Sequence, residues 1–367
     1  MALYVGLMSG TSMDGIDAAL TEIPSNRLVY GITKKYSADL HNRLELMVQK
    51  QIVNLGTLSQ INTLIGREFA DAVNDLLQEA NVKPEQVRAI GSHGQTVCHD
   101  STDSIPYTLQ LGCAHTISTR TGIDVVADFR TRDLVNGGQG APFAPLYHHE
   151  LFSKSGKNTA VVNIGGISNV TFVCPDQPTK GWDVGPGNCL IDGWIYRHLR
   201  KSYDESGQWA QKGTIIDSLL NQMLNDSFFN KPTPKSIGKE YFSLLWLERF
   251  LKKEFAPADV QSTLVALTAH SIANTIKDHQ KMDHLYLCGG GVHNSYLVEY
   301  LQRLLPGLMV ASTADAGVSP DYVEAMMFAW LGAKTINKKA VDLSAITGSR
   351  TPAILGALYP ATKPLTN

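Results

Sequence analysis

The sequence lacks the features that mark several large classes of protein. Its five cysteines are scattered through 367 residues, and no two of them form a CxxC pair. It has no apolar run long enough to cross a bilayer, and no basic start followed by a long apolar stretch. The net charge of −2 gives no sign of a nucleic-acid or membrane-surface partner. We therefore expect a cytoplasmic protein with reduced thiols, no nucleic-acid partner and no membrane segment.

Recognised metal and nucleotide motifs are also missing. The histidines show neither HExxH spacing nor a neighbouring CxxC pair, so we favour core or surface histidines over metal ligands. A P-loop requires Gly-Lys-Ser/Thr at the start of a helix. Here Gly156-Lys157 is followed by Asn158, and Gly238-Lys239 is followed by Glu240. A nucleotide, if bound, must therefore be bound by a different fold.

The length and the order of elements predict two α/β lobes. A chain of 367 residues exceeds what one core usually serves, and its apolar fraction of 43% is that of a globular protein. We expect an N-terminal lobe at 1–135, with 346–367 as a candidate to join it, and a C-terminal lobe at 136–345. The glycine-rich loop 136–142 is the expected hinge.

Apolar patterns predict the elements of both lobes. Strands are predicted at 3–8, 16–23, 28–33, 87–92, 107–111, 123–129, 159–164, 170–173 and 285–288. Helices are predicted at 43–53, 58–80, 114–121, 190–200, 215–225, 241–255, 261–279, 294–305 and 320–336.

The first two strands are joined by a turn rich in glycine and hydroxyl residues. Glycines let backbone N–H groups approach phosphate oxygens, hydroxyls add donors, and an aspartate can orient Mg²⁺ through water. The alternative is a tight hairpin whose glycines serve only positive φ. We favour the phosphate interpretation, with Asp14 or Asp17 as the aspartate near Mg²⁺. The candidate phosphate-binding residues are Gly10, Thr11, Ser12, Met13, Asp14, Gly15, Ile16 and Asp17.

A second strand–glycine–strand hairpin opens the other half of the chain. Gly165 and Gly166 follow an apolar, β-branched strand, and a second strand returns from them. This repeat suggests an internally duplicated protein with one phosphate-binding hairpin in each half, although glycine hairpins are common enough to recur by chance. Gly289, Gly290 and Gly291 form a third site between a strand and a helix that Asn294 caps, and they leave room for a base or ribose.

Several side chains are candidates for chemistry. Asp183 lies beside the turn Gly185-Pro186-Gly187-Asn188 and is a candidate general base, with turn capping as the alternative. Glu324 interrupts an apolar helix, so it lies either on an exposed face or toward a cleft. The arginines, Arg120, Arg130 and Arg132, are candidate anion clamps or surface ion pairs. Candidate substrate contacts at the predicted end of strand 87–92 are Ser92, His93, Gln95 and Thr96.

Seven motifs together resemble one known family, the 1,6-anhydro-N-acetylmuramic acid kinases, and occur in the same order as in that family. The combination of MSGTSMDGID with DVGPGN is the most specific part, and the resemblance spans nearly the whole chain. The motifs are MSGTSMDGID at 8–17, GSHGQT at 91–96, VVNIGGISN at 161–169, DVGPGN at 183–188, PKSIGKEYF at 234–242, LYLCGGGVHN at 285–294 and VEAMMFAWL at 323–331.

The resemblance implies an actin-like ATPase fold of the sugar-kinase type, with a ribonuclease-H-like sheet in each lobe and a central cleft. It implies that the Gly10–Asp17 and Gly165–Ser168 turns bind ATP phosphates and that Gly289–Gly291 bind adenosine. The implied reaction converts anhydro-N-acetylmuramic acid, water and ATP to N-acetylmuramic acid 6-phosphate and ADP in peptidoglycan recycling.

The resemblance also assigns roles to individual side chains. By its match to DVGPGN, Asp183 is the implied base that activates water. Mg²⁺ is expected with ATP. We expect Glu324 to hold a sugar hydroxyl, and Arg120 or Arg130 to pair with the lactyl carboxylate.

Two other functions compete with this one. A conventional sugar kinase on the same fold would use Asp183 to deprotonate a free 6-hydroxyl. A non-catalytic nucleotide switch of the actin or chaperone type would bind a protein partner. For any of these functions, a homodimer is the expected assembly.

Overall fold

The computed structural model describes residues 1–10, 13, 15–50, 53–238 and 240–361. The strands are β1 (Ala2–Ser9), β2 (Ile16–Ile23), β3 (Arg27–Lys34), β4 (Val87–Asp100), β5 (Tyr107–Leu111), β6 (Val125–Ala127), β7 (Thr159–Ile164), β8 (Ile167–Val173), β9 (Lys180–Pro186), β10 (His284–Cys288), β11 (Met309–Ser312) and β12 (Ala357–Tyr359). The helices are α1 (Ala38–Lys50), α2 (Leu55–Glu79), α3 (Ala114–Thr121), α4 (Phe129–Val135), α5 (Ala144–Phe152), α6 (Cys189–Leu199), α7 (Asp217–Leu224), α8 (Leu244–Glu248), α9 (Pro257–Lys277), α10 (Ser295–Leu304), α11 (Val323–Ile336) and α12 (Ser344–Thr347).

The chain forms two compact units. The first contains residues 1–144 and 322–367, and the second contains residues 145–321. No helix in the described part of the chain is both long and apolar enough to cross a membrane.

The first unit is built on a sheet with the strand order β3-β2-β1-β4-β6-β12. The first three strands form an antiparallel meander, and β4 and β6 then run parallel to β1. Strand β12 (Ala357–Tyr359) pairs with β6 and therefore belongs to this sheet. Helices α1, α2 and α3 cover it with a core that includes Leu20, Ile65 and Phe69.

The second unit repeats this topology. Its strand order is β9-β8-β7-β10-β11, again an antiparallel meander followed by strands parallel to the first one. The main core of this unit combines Val162 of β7 with residues of α9 such as Leu264, which is almost fully buried. The expected α/β fold with two ribonuclease-H-like sheets is confirmed, and the repeat of the glycine hairpin reflects a repeat of the whole sheet.

Helix α11 packs against the first sheet at backbone contact distance. A Cβ on Gly6 would lie 1.7 Å from Ala325 O, and one on Gly91 would lie 1.9 Å from Phe328 O. Only glycine fits at these two sheet positions, because any side chain would displace the helix. This close approach fixes the start of α11, where Glu324 lies.

The boundary of the first unit differs from the position expected from glycine content. Residues 136–142 are hydrogen-bonded within the first unit, since Gly140 N–H donates to Asp133 Oδ2 at 2.7 Å and Gln139 N–H donates to Thr347 O at 3.0 Å. The first unit therefore extends to Ala144 rather than to Val135. On the return, the chain rejoins the first unit at Tyr322, because α11 covers the first sheet.

Most predicted elements are present, and the exceptions have local causes. The helix predicted at 241–255 is only the short α8, because Arg249 N–H and Phe250 N–H bond to carbonyls three residues back, which tightens the chain after Glu248. The strand predicted at 123–129 is shortened to β6, because α4 already begins at Phe129. Helix α1 begins earlier than predicted and ends at Lys50.

Candidate functional site

The first glycine hairpin connects β1 to β2. Its described residues include Met13, whose N–H donates to Gly10 O at 3.1 Å. Met13 is buried, and its backbone φ is 60°. Ser9 Oγ lies 2.8 Å from both Gly15 O and Gln95 Oε1, which ties the two ends of the turn to β4. The predicted phosphate contacts Thr11, Ser12 and Asp14 lie outside the described residues.

The last residue of this predicted phosphate motif has a defined partner. Asp17, the first polar residue of β2, accepts a hydrogen bond from Thr33 Oγ1 at 2.6 Å. This bond crosses from β2 to β3 and orients the carboxylate. The preceding residue, Ile16, is fully buried and anchors the hairpin in the core.

The polar set of β4 lies inside the strand rather than at its end, contrary to the sequence prediction. The strand continues to Asp100 because its outer half pairs with β5. What ends near this set is the parallel pairing with β1, whose last pair is Ser9 with Gln95. The set therefore still lies where β1 gives way to the glycine turn.

Gln95 connects the polar set to that turn. It is fully buried, and its Nε2 donates to Gly10 O at 3.0 Å while its Oε1 accepts from Tyr36 OH at 3.3 Å. Ser92 Oγ is buried and has no hydrogen-bond partner within the described residues. Thr96 Oγ1 accepts from Gln110 Nε2 at 3.3 Å, on the side of β5.

Arg130 and His93 form a buried pair in the first unit. Arg130 Nε donates to His93 Nε2 at 2.9 Å, and Arg130 Nη1 donates to Gly140 O at 2.7 Å. Burial lowers the pKa of Arg130 to about 10, although the nearby charges of Glu324 and Asp133 act to raise it. Burial and the Arg130 charge hold the pKa of His93 well below its usual range, so this histidine is neutral at physiological pH.

Glu324 belongs to the same cluster, which decides between the two alternatives that the sequence left open. Burial raises the pKa of Glu324, the Arg130 charge lowers it, and the Asp17 charge raises it further. Glu324 thus lies within electrostatic range of both residues. The first unit brings together a set of candidates that the sequence scatters over the chain, namely Asp17, His93, Arg130 and Glu324.

Arg120 is not part of this cluster. Its Nη2 donates to Asp71 Oδ1 at 2.8 Å in an exposed ion pair between α3 and α2. Arg132, two residues after Arg130 in α4, is exposed. Of the three arginines considered from the sequence, Arg130 is the half-buried one that contacts another candidate, His93.

Asp183 occupies strand β9 of the second unit. Its backbone N–H donates to Lys235 O at 2.9 Å, and its Oδ2 accepts from Ile237 N–H at 2.9 Å. Burial raises the pKa of Asp183 to about 6, and the hydrogen bond from Ile237 only partly opposes this. A carboxylate with a pKa near neutrality is well matched to accept a proton from water.

Asn188 holds the turn that follows Asp183 in place. Asn188 stands directly before α6, but its side chain donates to Ile164 O at 3.1 Å and does not cap the helix. Its backbone N–H donates to Gly165 O at 2.8 Å, so the turn after Asp183 is held against the second hairpin. A Cβ on Gly187 would lie 2.2 Å from Gly165 O, which explains why glycine is needed there.

The third glycine site borders the same hairpin. Gly289 has φ of 78°, and a Cβ there would meet Asn163 Oδ1 at 2.2 Å. A Cβ on Gly291 would meet Ile164 Cγ2 at 2.2 Å, whereas Gly290 is exposed and a Cβ there would come no closer than 3.9 Å to Asn188 Nδ2. Two of the three glycines are thus explained by packing, whereas Gly290 is exposed and is not. The predicted cap is confirmed, since Asn294 Oδ1 accepts from Leu297 N–H at 3.1 Å.

These turns fit nucleotide phosphates in their chemistry. Ser168 Oγ, next to the Gly165–Gly166 turn, is buried without a hydrogen-bond partner among the described residues. Backbone hydrogen bonds join the turn at Gly187 to the turn at Gly165 and Gly166, and Gly166 remains exposed. Within the described residues, no three His, Cys, Asp or Glu side chains are placed to hold a metal ion.

Sequence reasoning missed the segment that holds Asp183. Lys235 and Ile237 were noticed only within a family motif, and nothing in the local pattern showed that they pair with β9. Tyr36 and Asp133, which support Gln95 and Gly140, were also missed. For Asp133, the signal available in the sequence was an acidic residue three positions after Arg130.

Comparison with known proteins identifies a family over nearly the whole chain. The model of the family described as anhydro-N-acetylmuramic acid kinase matches residues 2–361. A protein of Legionella pneumophila (strain Corby), named anhydro-N-acetylmuramic acid kinase, is 62% identical over 364 residues, which are 99% of this chain and 100% of the relative. A protein of the same name from Coxiella burnetii (strain Dugway 5J108-111) is 43% identical over 361 residues, 97% of each chain.

Solved structures show weaker similarity. Component A of the (R)-2-hydroxyglutaryl-CoA dehydratase of Acidaminococcus fermentans aligns with 92% of this chain and 100% of its own, at 12% identity and a TM-score of 0.49. Similarity at that level supports no inference about activity.

Proposed function

Because this chain belongs to the anhydro-N-acetylmuramic acid kinase family, we propose that it opens the 1,6-anhydro ring of anhydro-N-acetylmuramic acid with water and phosphorylates O6 with ATP. The products are N-acetylmuramic acid 6-phosphate and ADP, and the role is recycling of cell-wall sugars. Relatives that bear this name cover the full chain at 62% and 43% identity. The observation in the second unit that carries the proposal is the raised pKa of Asp183, about 6.

The chemistry of the substrate sets what Asp183 must do. In the anhydro sugar, O6 is already bonded to the anomeric carbon and has no proton for a kinase to remove. Water must therefore add to the anomeric carbon as the bond from that carbon to O6 breaks. Asp183 accepts the proton of this water, and O6 takes the phosphoryl group. A carboxylate whose pKa lies near 6 is ionised at neutral pH and remains basic enough for this transfer.

The phosphate-binding part of the proposal concerns three turns. Bound ATP supplies the γ-phosphoryl group that O6 receives. In the first unit, the Gly10–Asp17 turn would hold phosphate oxygens, and Asp17 would orient water around Mg²⁺. In the second unit, the Gly165–Ser168 turn contributes Ser168 Oγ, and the exposed Gly290 leaves space for the adenosine. Donors fixed before the reaction stabilise the charge on the transferring group.

The sugar-binding part of the proposal concerns the cluster of the first unit. Arg130 is half-buried and pairs with neutral His93, so its charge is available to the lactyl carboxylate. Glu324 accepts a hydrogen bond from a sugar hydroxyl, and Ser92 Oγ supplies a further polar contact to the sugar. Arg120 is left out, because Asp71 already holds it at the surface.

The wider setting follows from the chemistry. The reaction consumes ATP, so we place it in the cytoplasm. A homodimer is the commonest assembly of soluble oligomers and is the expected state here, to be measured by sedimentation velocity.

The test is a reaction in water labelled with heavy oxygen, with Mg-ATP, anhydro-N-acetylmuramic acid and an Asp183→Asn control. The proposal expects a 6-phosphorylated product whose anomeric oxygen carries the label, and no product from the variant. Phosphorylation of open N-acetylmuramic acid alone would instead indicate a conventional sugar kinase. Slow ATP hydrolysis that no sugar stimulates would indicate a nucleotide switch.

A further inference from the structure

The second unit contains a cavity beside the strand of Asp183. Its volume is about 440 Å³, within the range typical of small-molecule sites. Trp182 and Val184 line it, whereas Asp183, between them on β9, does not. Successive side chains of a strand point to opposite faces, so the cavity lies behind the proposed catalytic carboxylate.

The cavity has an apolar floor and a charged rim. Val184 is buried and Phe229 half-buried, and both belong to the floor. Lys231 and Lys235 line the rim together with Asp278. The shape therefore suits a molecule with one apolar part and one polar part.

The charge at the rim favours an anion. Both ammonium groups approach the ring of Phe228, with Lys235 Nζ 4.6 Å and Lys231 Nζ 5.9 Å from its centroid. Within the described part of the chain, neither lysine forms an ion pair with a carboxylate. Two lysines against Asp278 leave one net positive charge, and His279 adds none, because burial lowers its pKa.

The cavity wall also has unmet hydrogen-bonding capacity. Trp182 Nε1 and His279 Nδ1 are buried atoms with no hydrogen-bond partner among the described residues. Most buried polar atoms in folded proteins have a partner, so two such atoms in the lining of one cavity are unusual. A polar occupant and its water would improve this environment.

Lys235 connects the cavity to Asp183. Its Nζ donates to Phe228 O at 3.1 Å and to Phe229 O at 2.9 Å, which anchors the segment that begins at Lys235. The same segment forms two hydrogen bonds with Asp183. Lys235 O accepts a hydrogen bond from Asp183 N–H, and Ile237 N–H donates one to Asp183 Oδ2. A group that competes for the Lys235 ammonium would therefore move the backbone that orients the carboxylate.

We propose that this cavity binds a small organic monoanion, a carboxylate attached to a flat apolar group, and that its binding changes the activity of Asp183 through the segment Lys235–Ile237. The carboxylate pairs with Lys235 and Lys231, and the apolar group packs against Phe229 and Trp182. Binding itself does not depend on the proposed kinase function, whereas the effect on Asp183 rests on it.

The binding test uses fluorine NMR of protein that contains 5-fluorotryptophan, without substrate. A Trp182→Phe variant assigns the Trp182 resonance, and Trp330 of the first unit serves as internal control. The probe is 3-phenylpropionate, and the matched neutral control is 3-phenylpropionamide. We expect a saturable shift of the Trp182 resonance at about millimolar acid, at least about tenfold weaker binding of the amide, and an unchanged Trp330 resonance.

Variants test the role of the lysines. Lys231 is exposed and lies outside the proposed catalytic site. The Lys231→Met variant should therefore retain basal activity and bind the acid severalfold more weakly. The Lys235→Met variant should bind the acid more weakly still. It should also shift the acid limb of the pH–rate profile even without the probe, because the segment that holds Asp183 loses its anchor. Lys235→Arg keeps a cation and should restore part of both properties.

Three outcomes would overturn the proposal. A Trp182 resonance that does not move up to about 10 mM acid excludes the site. Equal binding of acid and amide excludes the anion. A clear Trp182 shift with unchanged kcat and pH–rate profile excludes the link to Asp183. If the kinase function itself is wrong, the fluorine titration still succeeds while no sugar turnover is found, so the two failures are distinguishable.

Discussion

Arg130 donates its Nε–H to His93 Nε2 across 2.9 Å, and this one bond fixes the state of both residues. Because Nε2 accepts, the single proton of neutral His93 must lie on Nδ1. Because Nε and Nη1 of Arg130 both donate hydrogen bonds, its guanidinium is held in a fixed orientation. This arginine is thus positioned in part by a histidine that carries no charge.

Replacing Arg130 should remove the preference for the lactyl carboxylate. We expect Arg130→Met to reduce the ratio of kcat/KM for anhydro-N-acetylmuramic acid to that for anhydro-N-acetylglucosamine by about tenfold or more, the loss of a charge-assisted hydrogen bond. Arg120→Met is the matched control and should leave the ratio unchanged, since Asp71 holds Arg120 at the surface. Steady-state kinetics with both sugars measure this. An unchanged ratio in Arg130→Met would remove the assignment.

The pH dependence of the reaction should report Asp183 and not His93. Burial raises the pKa of Asp183 to about 6, and the ionised form is the one that accepts a proton from water. We therefore expect kcat/KM to fall about tenfold per pH unit below about pH 6. His93, whose pKa is held far below its usual range, adds no inflection near neutrality. A His93→Asn variant that keeps the same acid limb would support this, and one that loses it would reassign the titration.

Asp183 should also cost the folded state stability at neutral pH. Its pKa is about 6 in the folded state, above the ordinary value of 3.8, so the folded state binds the proton more tightly. Stability from this group is therefore present below pH 3.8 and is lost as pH rises to about 6. Asp183→Asn keeps an acceptor for Ile237 N–H and has no such dependence.

We expect the variant to melt at a higher temperature than the wild type at pH 8 and to lose this advantage near pH 4. Thermal unfolding followed by circular dichroism at the two pH values measures the difference. A variant with a lower melting temperature at pH 8 would show that the ionised carboxylate is stabilised in the fold.

Neighbouring glycines should separate packing from ligand binding at the proposed adenosine site. A Cβ on Gly291 would lie 2.2 Å from Ile164 Cγ2, so Gly291→Ala should destabilise the second unit by about 1–3 kcal/mol. A Cβ on Gly290 would have no neighbouring atom closer than 3.9 Å, so Gly290→Val should keep the melting temperature. If adenosine lies against Gly290, the same variant should raise the KM for ATP about tenfold or more.

The measurements for this pair are thermal unfolding and ATP titration. A Gly290→Val variant with wild-type KM for ATP would move the adenosine away from this residue. Equal destabilisation by both substitutions would mean that Gly290 is also needed for packing.

Apolar patterns predict best the elements with extensive burial, such as strands β1 and β7, which are buried along most of their length. Strands β1 and β7 and helices α2 and α9 carry dense apolar patterns, and their existence and type followed from those patterns. Helix α8 was overestimated, because the chain beyond Glu248 keeps apolar residues at helical spacing while its hydrogen bonds tighten to three-residue turns.

The site was predicted residue by residue but not as a set. Glycine turns and isolated charges stand out along a sequence, which is why Asp183, Arg130 and Glu324 could be chosen. Their partners could not be found in this way, because Ile237 and Gly140 act through backbone groups that any residue possesses. Arg120 and Arg130 look equivalent in sequence, and only tertiary contacts separate them.

The closing of α11 and β12 onto the first sheet has a consequence for the order in which the chain matures on the ribosome. Residues 145–321 are contiguous, so the second unit can fold as soon as it has emerged, whereas the first unit must wait for residues 322–361. Until then, the bare backbone at Gly6 and Gly91 has no helix against it. The unit that is synthesised first is therefore the one that is finished last.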